Sequence, residues 1–308
     1  MAHVRTAGPV LVVVAAIFAI WYVAVIPMNI KDAITQAERA GATVSPEGAQ
    51  ARRDMSAIGL AVRNTAVIPA TYALDRPRLP APHQIAAELW DTTIDKKITS
   101  KRSLVFHGWV TLSATLLGFA IGTAAGILLA VGIVHSRAMD MSVMPWAIAS
   151  QTIPILAIAP MVIVVLNSIG VQGLIPKAII SAYLSFFPVV VGMVKGLRTP
   201  DAMQMDLLRT YNANRNQTFW RLRLPASLPF LFASLKIAVA AALVGTIVAE
   251  LPAGGGRGLG GRMLTGSYYG QMIQIWSALV MAALLAAGLV FLISLIERIS
   301  LRRLGLAS

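Results

Sequence analysis

The residues best placed for chemistry lie between Asp201 and Pro225. Asp206-Leu207-Leu208, then Tyr211-Asn212, then Leu222, then Leu224-Pro225 form a spaced series, interleaved with Arg209, Arg215, Arg221 and Arg223 and with Phe219 and Trp220. This is the chemistry of recognition: arginines and aromatics gathered in one short polar stretch suit contact with another macromolecule. On a helix, Leu207, Leu208 and Tyr211 share a face by three-and-four spacing and form an apolar knob for a groove on a partner. Asn212 then ends that helix, because asparagine tolerates the left-handed conformation, and Leu224-Pro225 closes the loop.

No catalytic set accompanies the loop. The chain has no cysteine, so it carries neither a disulfide framework nor thiolate chemistry. His3, His83, His107 and His135 never pair at ligand spacing, so neither a metal nor a cofactor is expected. No Gly-x-x-x-x-Gly-Lys-Ser/Thr occurs, and the chain is therefore not expected to hydrolyse ATP. Gly256-Arg257-Gly258-Leu259-Gly260-Gly261 satisfies Gly-x-Gly-x-x-Gly but follows an apolar run instead of a strand, so a flexible outer turn explains it better than dinucleotide binding. Polar groups inside apolar runs remain. Glu250 ends one run, is expected to pair with Arg257 or Arg262, and is a candidate for touching a transported solute. Gln151 and Thr152 are candidates for lining a path, although satisfying the backbone freed by Pro154 accounts for them equally. Lys236 lies about two turns into its run, close enough to the end to snorkel.

The elements that must position these residues are membrane spans. At 308 residues, 57% hydrophobic and 13% charged, with a mean hydropathy of +0.72, the chain is too apolar for one soluble core. Apolar runs fall at Pro9–Pro27, Trp109–Val134, Val143–Leu166, Leu174–Val194, Leu228–Ala249 and Met272–Ile296. At about 1.5 Å per residue each can cross roughly 30 Å of hydrocarbon. The sequence thus predicts an all-α integral membrane protein of six transmembrane helices. The net charge of +13 collects between the runs without a continuous basic stripe, which points to lipid headgroups and a cytoplasmic protein, not to nucleic acid.

Orientation follows from the basic residues of the short loops and tails. With the N-terminus inside, one side receives Arg5, Arg137, Lys195, Arg198, the four loop arginines, Arg298, Arg302 and Arg303, while the other receives Lys177, Arg257 and Arg262. Both termini are expected to face the cytoplasm. The long outer loop, Met28–Gly108, is partly helical: Ile30, Ala33, Ile34 and Ala37 recur at helical spacing, Ser45-Pro46-Glu47 starts a helix with Ala51, Met55, Ile58 and Val62 on one face, and Pro80-Ala81-Pro82 starts another before Ile85, Leu89 and Trp90. This piece is expected along the outer membrane surface, either capping the spans or meeting a partner. In the second run, Gly118, Gly122, Gly126 and Ala130 form a small-residue stripe for close packing, against this chain or a second one. Pro145, Pro154, Pro160, Pro176 and Pro188 are expected to kink the third and fourth spans.

The basic loop resembles the cytoplasmic loop of binding-protein-dependent ABC importer permeases, whose pattern is Glu-Ala-Ala, a glycine after three more residues, nine residues, then Ile-x-Leu-Pro. Here Asp206-Leu207-Leu208 replace Glu-Ala-Ala, Asn212 replaces the glycine and Leu222 the isoleucine, with the spacing kept. Gln151-Thr152-Ile153-Pro154 with Ala159-Pro160, Phe186-Phe187-Pro188-Val189-Val190 leading into Gly196-Leu197-Arg198, and Glu250 with Gly258-Leu259-Gly260 resemble the nitrate, sulfonate and taurine branch. The likeness covers most of the chain after Phe106.

That resemblance implies an ATP-driven importer in a bacterial inner membrane. It implies a dimer of ATPase subunits below, a second permease subunit beside this one, identical or paralogous, and a periplasmic solute-binding protein above. Residues 1–28 are then an N-terminal transmembrane helix, 29–105 a periplasmic amphipathic segment, and 106–308 the permease core with its coupling loop at 195–228. The solute class includes sulfonates, taurine, nitrate and vitamin precursors. The alternative from a different class is an ion-coupled secondary transporter or channel, which calls for mid-span carboxylates or histidines and internal repeats.

Overall fold

A computed structural model describes residues 2–253 and 256–305, with side chains from Gly8 onward. Met1, Gly254, Gly255 and residues 306–308 lie outside it, as do the side chains of His3 and Arg5. Among the described residues the fold is entirely helical. Five helices are long and apolar enough to cross a membrane: α1 (Ala2–Arg39), α5 (Leu104–His135), α8 (Leu174–Leu197), the helix reaching Glu250, and α13 (Met272–Arg303). A bent pair, α6 (Arg137–Ser150) and α7 (Ile155–Ser168), makes a sixth if counted as one broken span. The chain is a multi-pass membrane protein built in two compact units.

The first unit comprises Met1–Val105 and Arg262–Val280. Helix α1 does not stop at Pro27, where its apolar run ends; it continues to Arg39. The reason is that Ile30, Ala33 and Ile34 have a core to cover. They are fully buried against Val44, Leu60, Ala61, Val67 and Leu74, of which Leu60 and Ala61 lie on α3 (Ala57–Arg63) and Val67 on the 3-10 turn Thr65–Tyr72. Buried Asn29 organises this core by satisfying all its polar capacity. Its amide donates to the carbonyls of Thr71 (3.1 Å) and Leu79 (2.8 Å), and its oxygen accepts from the N–H groups of Arg78 (2.9 Å) and Leu79 (3.1 Å). The expected continuous helix after Ser45 is instead two pieces, α2 (Ala49–Arg53) and α3. The Ser56 hydroxyl accepts from Gly59 N–H and starts α3 afresh. The restart shifts the helical phase, so Ile58 and Val62 point outward while Leu60 and Ala61 face the core. Helix α4 (Pro82–Trp90) starts where Pro82 predicts and buries Ile85.

The second unit comprises Phe106–Gly261 and Met281–Ser308. Its spine is α8 packed along α11 (Leu224–Glu250). Small residues make the contact close: Gly192 and Gly196 of α8 meet Ser234 and Ser227 of α11, and the Ser181 hydroxyl donates to the Ala242 carbonyl at 2.8 Å. The glycine stripe of α5 finds its partner in the same chain. A methyl on Gly118, Gly122 or Gly126 would come within 2.6, 2.8 or 2.9 Å of the carbonyls of Ala178, Ala182 and Phe186 on α8.

The apolar run Val143–Leu166 is not a kinked rod. Helices α6 and α7 meet at 97° across Gln151–Pro154. Pro154 has no N–H to continue α6 and disfavours helical geometry at Ile153, so the chain leaves the helix and restarts with Pro154 as cap. The Tyr183 hydroxyl of α8 donates to the Ser150 carbonyl and holds the break in place.

Candidate functional site

Each end of the basic loop is built by a local rule. Asp201 caps α9 (Ala202–Thr210): its carboxylate accepts from Gln204 N–H at 2.7 Å while the Gln204 side chain accepts from Asp201 N–H at 3.3 Å. Asn212 ends α9 with φ 53°, in the left-handed region. The N–H of Ala213 reaches the Leu208 carbonyl (3.0 Å) and that of Asn212 reaches Arg209 (2.9 Å), the paired bonds of a helix stop normally given to glycine. Asn214 then caps α10 (Arg215–Thr218) with the same reciprocal arrangement through Gln217, at 2.8 and 2.9 Å.

Leu224-Pro225 does not close a loop. Helix α10 runs through a π turn at Phe219–Arg223 directly into α11, giving one helix of 36 residues from Arg215 to Glu250. Pro225 would clash with the carbonyl four residues back, and the widened turn before it removes the conflict, with Leu224 N–H bonding to the Phe219 carbonyl. Phe219 and Leu224 pack against the core of Ala130, Ile133, Val190 and Leu197, and the Phe219 ring meets His135 edge-on at 5.1 Å. Leu222 is half-buried beside them.

The apolar knob has a different membership from the one spacing predicts. Met203, Leu207 and Tyr211 are 81%, 57% and 77% exposed and follow one another every four residues, whereas Leu208 is half-buried on the inner side. Sequence reasoning missed Met203; the i, i+4, i+8 series was its signal. Asp206 stands exposed beside the ridge, paired with Arg209 at 2.9 Å. Next to the ridge is a cleft of about 460 Å³ bordered by His135, Met205, Arg209, Arg215, Phe219 and Arg223. Among the described residues no carboxylate borders it, so the loop offers an apolar ridge beside a cationic hollow. Arg198, at the end of α8, pairs with Asp140 of α6 at 2.9 Å, and Lys195 sits over the Phe230 ring.

At the opposite end of α11, Glu250 is buried and has partners other than those expected. Lys177 of α8 lies 3.6 Å away, Thr111 of α5 donates to it at 2.9 Å, and Gly260 N–H donates at 2.9 Å. Arg257 contributes only its carbonyl, which accepts from Lys177 at 3.4 Å. Arg262 belongs to the first unit and pairs with Glu88 at 3.2 Å. The glycine-rich turn is consumed here: Gly258 N–H goes to His107, Leu259 N–H to Thr111 and Gly260 N–H to Glu250. At Gly258 (φ 95°) a methyl would sit 2.0 Å from the Glu250 carboxylate. This turn, opening α12 (Leu259–Tyr268), therefore spends its N–H groups on His107, Thr111 and the Glu250 carboxylate, which leaves them committed within the chain.

Gln151 and Thr152 lie at the α6–α7 break, half-buried and exposed respectively; Thr152 donates to the Ala149 carbonyl at 2.8 Å. Lys236 does not merely snorkel: it pairs with Glu297 of α13 at 2.5 Å. Among the described residues, no three His, Cys, Asp or Glu side chains are grouped to hold a metal.

Comparison with known proteins adds a family. Residues 122–306 match the binding-protein-dependent transport system inner membrane component. A probable ABC transporter permease protein of Haemophilus influenzae is 31% identical over 60% of this chain and 74% of its own length. The formylaminopyrimidine transport permease protein ThiX of Halalkalibacterium halodurans is 32% identical over 59% of this chain and 68% of its own. The riboflavin transport system permease protein RibX of Chloroflexus aurantiacus is 30% identical over 73% and 80%.

Proposed function

This chain belongs to the family of binding-protein-dependent transport system inner membrane components, and from that premise we propose that it is the six-span permease subunit of an ATP-driven importer. The broken pair α6–α7 counts as the third span, both termini face the cytoplasm, and the membrane is the bacterial inner membrane. Residues 195–228 form the coupling loop, and residues 29–105 the segment on the periplasmic side. The chain does no chemistry on nucleotide; two ATPase subunits beneath it do, a second permease subunit completes the path, and a periplasmic binding protein delivers the solute. The names of ThiX and RibX favour a vitamin or vitamin precursor within the wider class that includes sulfonates, taurine and nitrate.

The observation that carries this reading is the exposed Met203–Leu207–Tyr211 ridge beside the cationic cleft, on a helix capped at both ends. Such a ridge seats in a groove of an ATPase subunit, with Asp206, Leu208, Asn212, Leu222, Leu224 and Pro225 fixing its pose. Closure of the ATPase then pushes the loop, and the 36-residue helix beginning at Arg215 carries the push about 54 Å. Because α8 packs along α11, the pair tilts as one body. Thr111, Lys177 and Glu250 tie α5, α8 and α11 at the far end, so the displacement reaches the outer mouth. Gln151 and Thr152, half-buried and exposed at the α6–α7 break, are the proposed path residues; Glu250 acts on the path by holding helix ends.

The test is co-purification of the ATPase subunits with permease variants, and ATP-driven uptake in proteoliposomes. Tyr211→Asp and Leu207→Asp are expected to release the ATPase and abolish uptake while the permease stays folded. Retention of both functions would overturn the assignment of the ridge, and uptake driven by an ion gradient without ATP would establish the ion-coupled alternative.

A further inference from the structure

The segment joining α4 to α5 is held at both ends and projects between them. Arg262 donates to the Glu88 carboxylate at 3.2 Å and to the Arg102 carbonyl at 2.9 Å, clamping the chain before Trp90 and again at Arg102. Between the clamps a π turn at Asp91–Asp95 continues α4, closed by the Lys96 N–H bond to the Asp91 carbonyl and by a Lys96–Asp91 ion pair at 3.1 Å. Trp90, Ile94 and Ile98 on this segment are 63%, 58% and 65% exposed. Ile94, Lys97 and Ile98 border a single hollow of about 430 Å³. Three large apolar side chains, displayed on a clamped segment, call for an occupant.

Two observations identify it. The first is level. Helix α1 exposes its large apolar side chains along Val10–Val23, whereas Val25, Ile30, Ala33 and Ile34 beyond them are buried and Met28 alone of the large apolar side chains there stays exposed. At that transition stands an aromatic group: Trp21 against Trp276 at 4.8 Å, and Tyr22 against Tyr72 and His83. Such a belt marks a membrane–water interface. The start of α4 is bonded to it, because Trp21 donates to the Pro80 carbonyl at 3.1 Å and Tyr22 shares a hydrogen bond with His83 at 3.2 Å. Downstream, Ile98 is only six residues before α5 begins at Leu104, about 20 Å of extended chain at most. The second observation is charge. With Lys96 and Asp91 paired to each other, Lys97 and Arg102 outnumber Asp95. A tryptophan, two isoleucines and adjacent cations are the composition of a surface seated on acyl chains and phosphate.

We propose that Trp90, Ile94 and Ile98, with Lys97 and Arg102, form a bilayer-surface anchor selective for anionic lipid headgroups. The indole and isoleucines enter the boundary between headgroups and acyl chains, and the cations meet lipid phosphate. The anchor fixes the outer end of α5 against the membrane through the Arg262 clamp. It does not depend on the motor or the solute of the transporter.

The chain has no cysteine, so single spin labels can be placed on the full-length protein without background. Ile94→Cys and Ile98→Cys, with exposed Glu47→Cys as the aqueous reference, are labelled and reconstituted into nanodiscs of neutral lipid with and without about 30 mol% phosphatidylglycerol. The expected result is that labels at 94 and 98 favour dissolved oxygen over a nickel chelate and move deeper as anionic lipid is added, while the label at 47 stays water-like. Lys97→Gln should weaken that lipid dependence about fivefold in apparent affinity, the worth of one cation near such a surface. Water-like accessibility at both isoleucine positions in anionic discs would overturn the anchor. Equal burial with and without anionic lipid would overturn its headgroup selectivity. Protection that appears only when a solute-binding protein is added would make the surface a protein dock instead.

Discussion

Removing the Glu250 side chain tests the idea that this carboxylate is a staple between helices. In Glu250→Ala, Lys177 keeps its buried position but loses the anion 3.6 Å away and retains only the Arg257 carbonyl. At that separation the attraction is about 5 kcal/mol for an effective dielectric of about 20, and the desolvation of both ions offsets much of it. The intact pair therefore adds little, but the half-pair is costly: an uncompensated buried charge is worth roughly 3–5 kcal/mol of destabilisation. The Thr111 hydroxyl and Gly260 N–H also lose their acceptor, which places the expected loss near the upper end of that range. Replacing both members, as Lys177→Met with Glu250→Gln, removes the stranded charge and should recover all but about 1–2 kcal/mol. The assay is denaturant unfolding in mixed micelles, with ATP-driven uptake measured in parallel. Wild-type stability in Glu250→Ala would refute the staple, as would a double variant no better than the single. Normal stability with lost uptake would move Glu250 from the framework to the solute path.

Other outcomes follow from the same geometry. Gly122→Ala should destabilise by about 2 kcal/mol despite its better helix propensity, because the new methyl meets a backbone carbonyl at 2.8 Å; Gly288→Ala on α13, with open space around it, should be neutral or stabilising in the same unfolding experiment. Asn212→Gly should leave the loop intact and Asn212→Val should cost about 1–2 kcal/mol locally, seen as faster proteolysis between α9 and α10. Leu208→Asp should lower the melting temperature whereas Leu207→Asp should not, since only the former is half-buried; equal effects would refute the inward placement of Leu208. Burial holds the Glu88 carboxyl above its ordinary 4.5 and the Arg262 guanidinium below its usual range, each against the pull of its partner. The folded state thus binds the Glu88 proton more tightly than the unfolded chain. Its stabilising contribution is full below about 4.5 and is lost as pH rises through the raised value. Glu88→Gln should match wild type near pH 4 and exceed it near pH 7; equal melting curves throughout would refute this.

The spans were legible because hydropathy is a local sum: nineteen or more apolar residues in a row have few destinations other than a bilayer. The stop at Asn212 was legible because it is local, closing bonds to residues only a turn back; the caps at Asp201 and Asn214 are equally local but were missed. The helical spacing of Ile30, Ala33 and Ile34 likewise marks a real buried face. Where the reading failed, phase was lost: Ser56 restarts a helix and turns Ile58 and Val62 outward, and the rotation of α9 exchanges Leu208 for Met203 on the exposed ridge. A spacing rule names residues that share a face but not the direction in which that face points.

By itself, then, the sequence determined the apolar runs, the stop of α9 at Asn212, the start of α4 at Pro82 and the family to which the chain belongs. Only the tertiary structure decided which polar groups meet: Glu250 with Lys177 in place of a nearby arginine, Asn29 with backbone more than forty residues away, Lys236 with Glu297, and the glycine turn folded onto its own carboxylate. The physical reason is that apolar burial is roughly additive along the chain and insensitive to direction. A hydrogen bond or ion pair instead requires two groups within about 3–4 Å at the right angle, a condition set by how distant helices pack.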